Sequence, residues 1–254
     1  MPWRLPETRA EKLALATGYP YEAPAESYLF RDGRVLPIAR ADFDERVPVI
    51  AHGSNRAPEQ LHRKYGHLPG EGSEIPVTFG WLKDYDVVYA SHVTRYGAVA
   101  STLHHMTGCR VRVAVNWLNA AQLERMHETE GVHYAYGALK DIEFEMEAGP
   151  DGKVPQAWLY LARFGTLAKD GEPVGLAALE ADGRSHPALA QKEAQELLRD
   201  RHRPDEDLEE FILANFGTSN NPRRLRLIEE IRETARPMTA PHFHLEIEKA
   251  PGPE

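Results

Sequence analysis

Residues 110 to 118, RVRVAVNWL, put Val111, Val113, Val115 and Trp117 on one side of an extended chain. A period of two sustained over that length is a strand with one apolar face. A helix starts at once: Asn119-Ala120-Ala121-Gln122 has capping-box spacing and opens a helix to about Thr129, with Gly131 as its stop. Two more alternating strands follow. DIEFEME sets Ile142, Phe144 and Met146 on one face, and PDGK turns the chain into VPQAWLYLA. Upstream, Val47, Val49 and Ile50 form a strand, VTFGWLKDYDVVYASHV is strand-like with one interruption, and GAVASTLHH is a further strand candidate. The remainder is expected to be mostly helical, at 187 to 200, 205 to 216 and 222 to 235, where Asn221 caps and Pro222 is the first helical residue. PHFHLEI near the end reads as a short strand. Without regular βαβ alternation, this mixture is α+β.

The expected organisation is an N-terminal arm over 1–46, a main domain over 47–200, and a helical extension over 201–254 packed on that domain. In the arm, Thr8-Arg9-Ala10-Glu11 has capping-box spacing before a short helix closed by Gly18, and a hairpin is expected around Asp32-Gly33. A net charge of -9 argues against non-specific nucleic-acid binding, which needs a basic face to displace phosphate counterions. No apolar run approaches membrane-spanning length, and the N-terminus lacks the apolar segment of a secretory signal. A cytoplasmic protein without membrane or nucleic-acid partners is expected. The lone Cys109 excludes an intramolecular disulfide and a cysteine-based zinc site. The helices within AQELLRDRHRPDEDLEEFILANF offer a surface for homo-oligomers, although amphipathic helices pack internally more often.

Two pieces carry candidate chemistry. In VPVIAHGSNRAPEQLHRKYG, a strand ends on His52-Gly53-Ser54-Asn55 just ahead of a helix with Pro58 in its first turn. Such a turn cradles an anion with backbone N–H groups, or it is a plain turn in which Ser54 or Asn55 caps the helix. In LNAAQLERMHETEG, Glu130 is seven residues after Leu123 with Met126 between, in line with the apolar stripe. Either the carboxylate faces the core, where it needs a partner or a role, or it reaches solvent past a fraying last turn.

Taken together, the HGSN turn, GAVASTL, the Val-rich strand and ETEGVHYAYG resemble the γ-glutamylcyclotransferase-like family over roughly residues 47–165. The resemblance implies a small mixed β-barrel flanked by helices. It implies a glutamyl-binding loop at His52, Gly53, Ser54 and Asn55, and a catalytic glutamate at Glu130. The family's loop has Tyr where His52 stands, and a downstream tyrosine has no counterpart near Leu189. The implied reaction turns a γ-glutamyl amine or peptide into 5-oxoproline with release of the amine. Glu130 would be general acid and base, and neither metal nor organic cofactor is called for. Burial against Leu123 and Met126 is expected to raise the Glu130 pKa towards that task. His92, Arg95 and Tyr136 are candidates for the outer pocket wall.

Other readings remain open. The same fold could serve as a non-catalytic module that binds a small molecule or a protein. Among twelve histidines, His104, His105, His133, His242 and His244 are metal-ligand candidates, but no helical His pair of metalloenzyme type is present, so scattered histidines are favoured. Cys109 near His104 and His105 reads as a structural thiol, since no third orienting residue is evident.

Overall fold

The computed structural model describes residues 4–130, 133–150 and 154–248. Helix α1 (Arg9–Thr17) leads into a hairpin, β1 (Tyr28–Arg31) and β2 (Arg34–Pro37), and then β3 (Val47–Ala51), α2 (Pro58–Tyr65), β4 (Ile75–Val93), β5 (Val99–Leu118), α3 (Ala120–Glu130), β6 (Tyr134–Lys140), β7 (Phe144–Met146) and β8 (Gln156–Ala162). Short extended pieces come next: β9 (Ala168–Lys169), β10 (Glu172–Pro173), β11 (Gly175–Leu176), β12 (Ala181–Asp182) and β13 (Ala188–Leu189). Helices α4 (Gln191–His202), α5 (Leu208–Ala214) and α6 (Pro222–Glu233) and strand β14 (Phe243–Ile247) complete the chain.

Local chemistry accounts for most boundaries. Thr8 and Glu11 form the capping box of α1, and Gly18 closes it. Asp32 and Gly33 both take positive φ, as the tight turn between β1 and β2 requires. Asn119 and Gln122 bond reciprocally to each other's backbone N–H at the start of α3. Asn221 caps α6, with Pro222 in its first turn. The expected stop at Gly131 and most of the PDGK turn lie outside the described residues.

The main sheet is mixed, in the order β13-β11-β4-β5-β3-β8-β6-β14, with β1, β2, β7 and β12 paired at its sides. Its spine is the long antiparallel hairpin of β4 and β5, whose register shifts between Lys83 and Tyr85, where Asp84 has φ of 59°, and again between Tyr89 and Val93. Strand β3 lies between β5, antiparallel, and β8, parallel. The path ends on β13 and β14, which are not paired with each other. A closed β-barrel, the expectation from family resemblance, is therefore corrected to an open sheet. Closure needs strand tilt and stagger that bring the two ends together, and here the ends remain separate edges.

Helices cover this sheet on different sides. Leu61 and Tyr65 of α2 and Met126 of α3 share one buried cluster with Val49, Val77 and Phe79. Leu198, Phe211, Ile212, Leu227 and Ile231 from α4, α5 and α6 share another with Val87, Tyr89 and Val93. The N-terminal residues are woven in too, for Tyr28, Leu29 and Phe30 are buried against β4. The Gln195 amide of α4 bonds to Ala16 O at 3.2 Å and Gly97 O at 2.8 Å, tying α1 to the β4–β5 turn.

Residues 165–189, expected within a mostly helical remainder, form turns and two-residue bridges instead. Gly165, Asp170, Gly171 and Gly183 all take positive φ, which no right-handed helix tolerates. This segment is fastened by charge. Arg184 grips the fully buried Asp86 of β4 with two bonds of 2.6 and 2.8 Å, and His186 Nε2 lies 3.0 Å from the same carboxylate. Burial alone would raise the Asp86 pKa, but bonding to His186 and Arg184 carries it below the usual carboxylate value. Breaking a buried pair from one side leaves an uncompensated charge. Asp86→Ala is therefore expected to lower unfolding free energy by about 3 kcal/mol or more, read from urea denaturation at pH 7.

Candidate active site

Strand β3 delivers the turn at 52–56 to one end of the sheet. There it meets the C-terminal end of α3, which carries Glu130. Both line a single cleft of about 1070 Å³ that also takes Lys64 from α2, Tyr19 and Tyr21 from the N-terminal segment, and Arg224 and Arg232 from α6. His52, Gly53, Ser54, Asn55 and Glu130 are thus brought together, and His92 and Arg95 join the lining. Tyr136 and Leu189 lie elsewhere: Tyr136 packs on His127 and Tyr160, and the Leu189 carbonyl accepts a bond from Tyr89.

Neither Ser54 nor Asn55 caps α2, whose N-cap position is Ala57 without a side-chain bond. The turn is braced from behind. His52 Nε2 donates to Tyr160 O at 2.8 Å, while Nδ1 lies 3.3 Å from Ser101 Oγ. That carbonyl bond places the ring proton on Nε2, and burial lowers the His52 pKa, so the ring is a neutral strut. Ser101 Oγ donates its one proton to His52 O, and Tyr19 Oη lies 2.6 Å from Ser101 Oγ. A Cβ on Gly53 would collide with Tyr19 Oη and come within 2.8 Å of Ser101 Oγ. Glycine serves here as a place of close approach.

Glu130 faces inward in line with Leu123 and Met126, its side chain 13 % exposed. It is not alone. Lys64 Nζ lies 2.5 Å from Glu130 Oε1, and Asn55 Nδ2 donates to the same oxygen at 2.9 Å. Burial raises the Glu130 pKa, but the charge and hydrogen bond of Lys64 and the bond from Asn55 outweigh it, leaving the pKa below the ordinary glutamate value. The expected upward shift is corrected accordingly. The apolar stripe gives the burial and says nothing about the cation opposite.

Lys64 was missed, although its signal was in the sequence. Leu61, Lys64 and Tyr65 fall at i, i+3 and i+4 on α2 and are all buried, the same spacing argument that singles out Glu130. Tyr19, Tyr96 and Tyr134, all lining the cleft, arrive from distant segments, and no local spacing marks them.

Asn55 Oδ1 is a buried acceptor without a protein partner, and its amide is oriented by the bond to Glu130. One edge of the cleft therefore offers a carboxylate and an open amide oxygen to a donor, with an ammonium alongside. Seven lining side chains are Lys or Arg against two Glu, in a chain of net charge -9. Fields of one sign focused in a cleft draw ligands of the other sign.

Among the described residues, no cluster of three or more His, Cys, Asp or Glu is placed to hold a metal ion. Cys109 is buried, and burial first, then the Asp86 charge, pushes its pKa to about 11, as for an inert thiol. No described helix is long and apolar enough to cross a membrane.

No protein-family model matches the sequence. No curated protein matches it. A solved structure titled "Gamma-glutamyl cyclotransferase" aligns with 75% of this chain and 100% of its own, at 15% identity and a TM-score of 0.38. At that identity and overlap the match carries no conclusion about activity.

Four histidines around the cleft and behind it, His52, His92, His104 and His133, have lowered pKa values, with burial the largest cause in each; His104 and His133 fall to about 4. Each stays neutral in the folded protein while its unfolded counterpart takes up a proton below about pH 6.5. The unfolded state then binds more protons, so stability is complete above that pH and declines as pH falls towards 4. The unfolding free energy from urea denaturation should drop between pH 7 and 4.5 by an amount on the order of 2 kcal/mol for each of His104 and His133. His104→Gln should flatten part of that slope, and an unchanged slope would remove His104 from the account.

Proposed function

We propose that this chain converts a γ-glutamyl amine or peptide into 5-oxoproline and releases the amine. The observation that carries the reading is the pairing of Glu130 with Asn55 and Lys64 inside the cleft. A γ-glutamyl head is a zwitterion, and a buried Lys–Glu pair is its mirror image. The α-ammonium docks on Glu130 and the open Asn55 Oδ1. The α-carboxylate meets Lys64 and the Gly53-Ser54-Asn55 turn. Inserting one zwitterion into the pair keeps each buried charge next to an opposite one, which limits the desolvation cost.

Insertion also retunes the base. A free glutamate near pKa 4.3 is mismatched to an α-ammonium near 8 by roughly 3.5 units, about 5 kcal/mol. Lys64 widens that gap in the resting protein. Once the substrate carboxylate neutralises Lys64, the pull on Glu130 weakens and burial, which raises its pKa, has more effect. Glu130 then takes a proton from the α-ammonium, and the freed amine attacks the γ-carbonyl carbon. The new C–N bond closes a five-membered lactam as the bond to the leaving nitrogen breaks. Of the three ammonium protons, one stays on the lactam nitrogen and two end on the released amine, which departs as its ammonium. Nucleophile and electrophile belong to one molecule, so the protein mainly holds the folded-back conformer. His52 braces the turn.

One observation favours a second reading, a non-catalytic binding module: a carboxylate already paired with Lys64 is a weak resting base. Product formation separates the two. Incubation with a panel of γ-glutamyl amides and peptides should release 5-oxoproline, and Glu130→Gln should reduce the rate by about 10²-fold or more. Lys64→Met should raise KM and move the acid limb of kcat/KM to higher pH, because Glu130 loses the charge that lowers its pKa. No product from any member supports the binding module; product formation indifferent to Glu130→Gln rejects the mechanism.

A further inference from the structure

The cleft extends well beyond Glu130, and its floor is a run of rings. His52 and Tyr134 are 6.4 Å apart between centroids, Tyr134 and His92 5.3 Å, His92 and His133 4.5 Å in a stack, and His133 and Phe164 6.5 Å. At the outer end Arg232 lies over Phe164, with Cζ 3.6 Å from the ring centroid, and its Nη2 is 3.2 Å from His133 Nδ1. An arginine nitrogen only donates, so Nδ1 accepts, and the His133 proton sits on Nε2. Arg232 Nε is buried and has no hydrogen-bond partner. A buried, unmet N–H on a cation is costly unless a ligand completes it.

The charge around this end is one-sided. Arg232, Arg224 and Arg163 all depress the His133 pKa, after burial. Two acidic groups act on these arginines: Glu248, 78 % exposed, is 3.6 Å from Arg163, and Glu229 acts on Arg232 through space. Arg224 is spent on the carbonyls of Asn215, Thr218 and Ser219, which holds the rim loop and leaves its charge uncancelled. A second hollow of about 600 Å³ meets the cleft at Arg163, Phe164 and Arg232.

We propose that this outer end is an oxyanion site, in which Arg232, set against the His133 ring, grips a carboxylate or phosphate group on the distal part of a ligand. The planar guanidinium, already held flat on Phe164, presents its fork with little orientational freedom left to lose. The site stands on residues of α6 and on His133, Phe164 and Arg163, so it is independent of the lactam-forming chemistry at Glu130.

The test uses the full chain with two probes, inorganic phosphate and succinate, titrated separately while His ring signals are followed by NMR. His133→Gln assigns the signal. Saturable binding that moves the His133 resonance is expected, weakened at least tenfold by Arg232→Gln. Tighter phosphate binding identifies a phosphate-bearing ligand, and tighter succinate binding a carboxylate-bearing one. Failure of both anions to saturate below about 50 mM overturns the site. So does an affinity unchanged in Arg232→Gln. If that variant does not fold, the wild-type titration decides, since a His133 signal unmoved at saturation places the anion elsewhere.

Discussion

A carboxylate and an ammonium buried side by side set the terms for the rest of this molecule. Lys64 and Glu130 come from different helices, and their side chains are 8 and 13 % exposed. Removing two charges from water costs several kcal/mol per ion, and their attraction repays this only with close geometry and further hydrogen bonds. Asn55 supplies one such bond, and through it the pair fastens the 52–56 turn to the ends of α2 and α3. Met126 lies beneath, its sulfur 3.2 Å from Lys64 Nζ, so the pair rests on an apolar floor. Well-packed apolar side chains could fill such a space at least as stably. What apolar side chains could not supply is a preset pattern of plus and minus charge opening on a cleft.

That pattern has a gradient. At the inner end one cation faces one anion, and the local sum is near neutral. Towards α6 the lining becomes cationic, while the surface of the chain as a whole is acidic. A ligand matched to both ends is zwitterionic at its head and anionic at its tail. Segments outside residues 47–165 help to wall this cleft. Tyr19 and Tyr21 come from the N-terminal portion, and Arg224 and Arg232 come from α6, which buries Leu227 and Ile231 in the same core as the sheet. Arm and helices are walls of the cleft as much as they are packing.

How much of this was legible in the sequence depended on the range of the interaction. Capping at Thr8, Asn119 and Asn221 is local and appears as written; Val111, Val113, Val115 and Trp117 do share a buried face, but the opposite face is buried as well at Ala114, Asn116 and Leu118. The stripe through Leu123 and Met126 set Glu130 in line with the core and left a solvent-facing alternative open, and the structure takes the inward one. The direction of its pKa shift was not legible, since Lys64 lies 66 positions away in sequence. Bridges such as β11 with β13 and β12 with β5 depend on where the chain returns and leave no periodic trace in two residues. Barrel closure was unreadable for a related reason: alternation fixes which face is buried, while tilt and stagger decide whether two edges meet.

His52 is held from behind the turn. Its Nε2 is held by Tyr160 O, Nδ1 lies 3.3 Å from Ser101 Oγ, and burial keeps the ring neutral. The imidazole therefore does the work of a strut. Gly53 completes the brace by letting Tyr19 and Ser101 close against the backbone. The turn thus uses its most permissive residue to become rigid, and a cradle held from three separate segments has little conformational entropy left to lose when a ligand arrives.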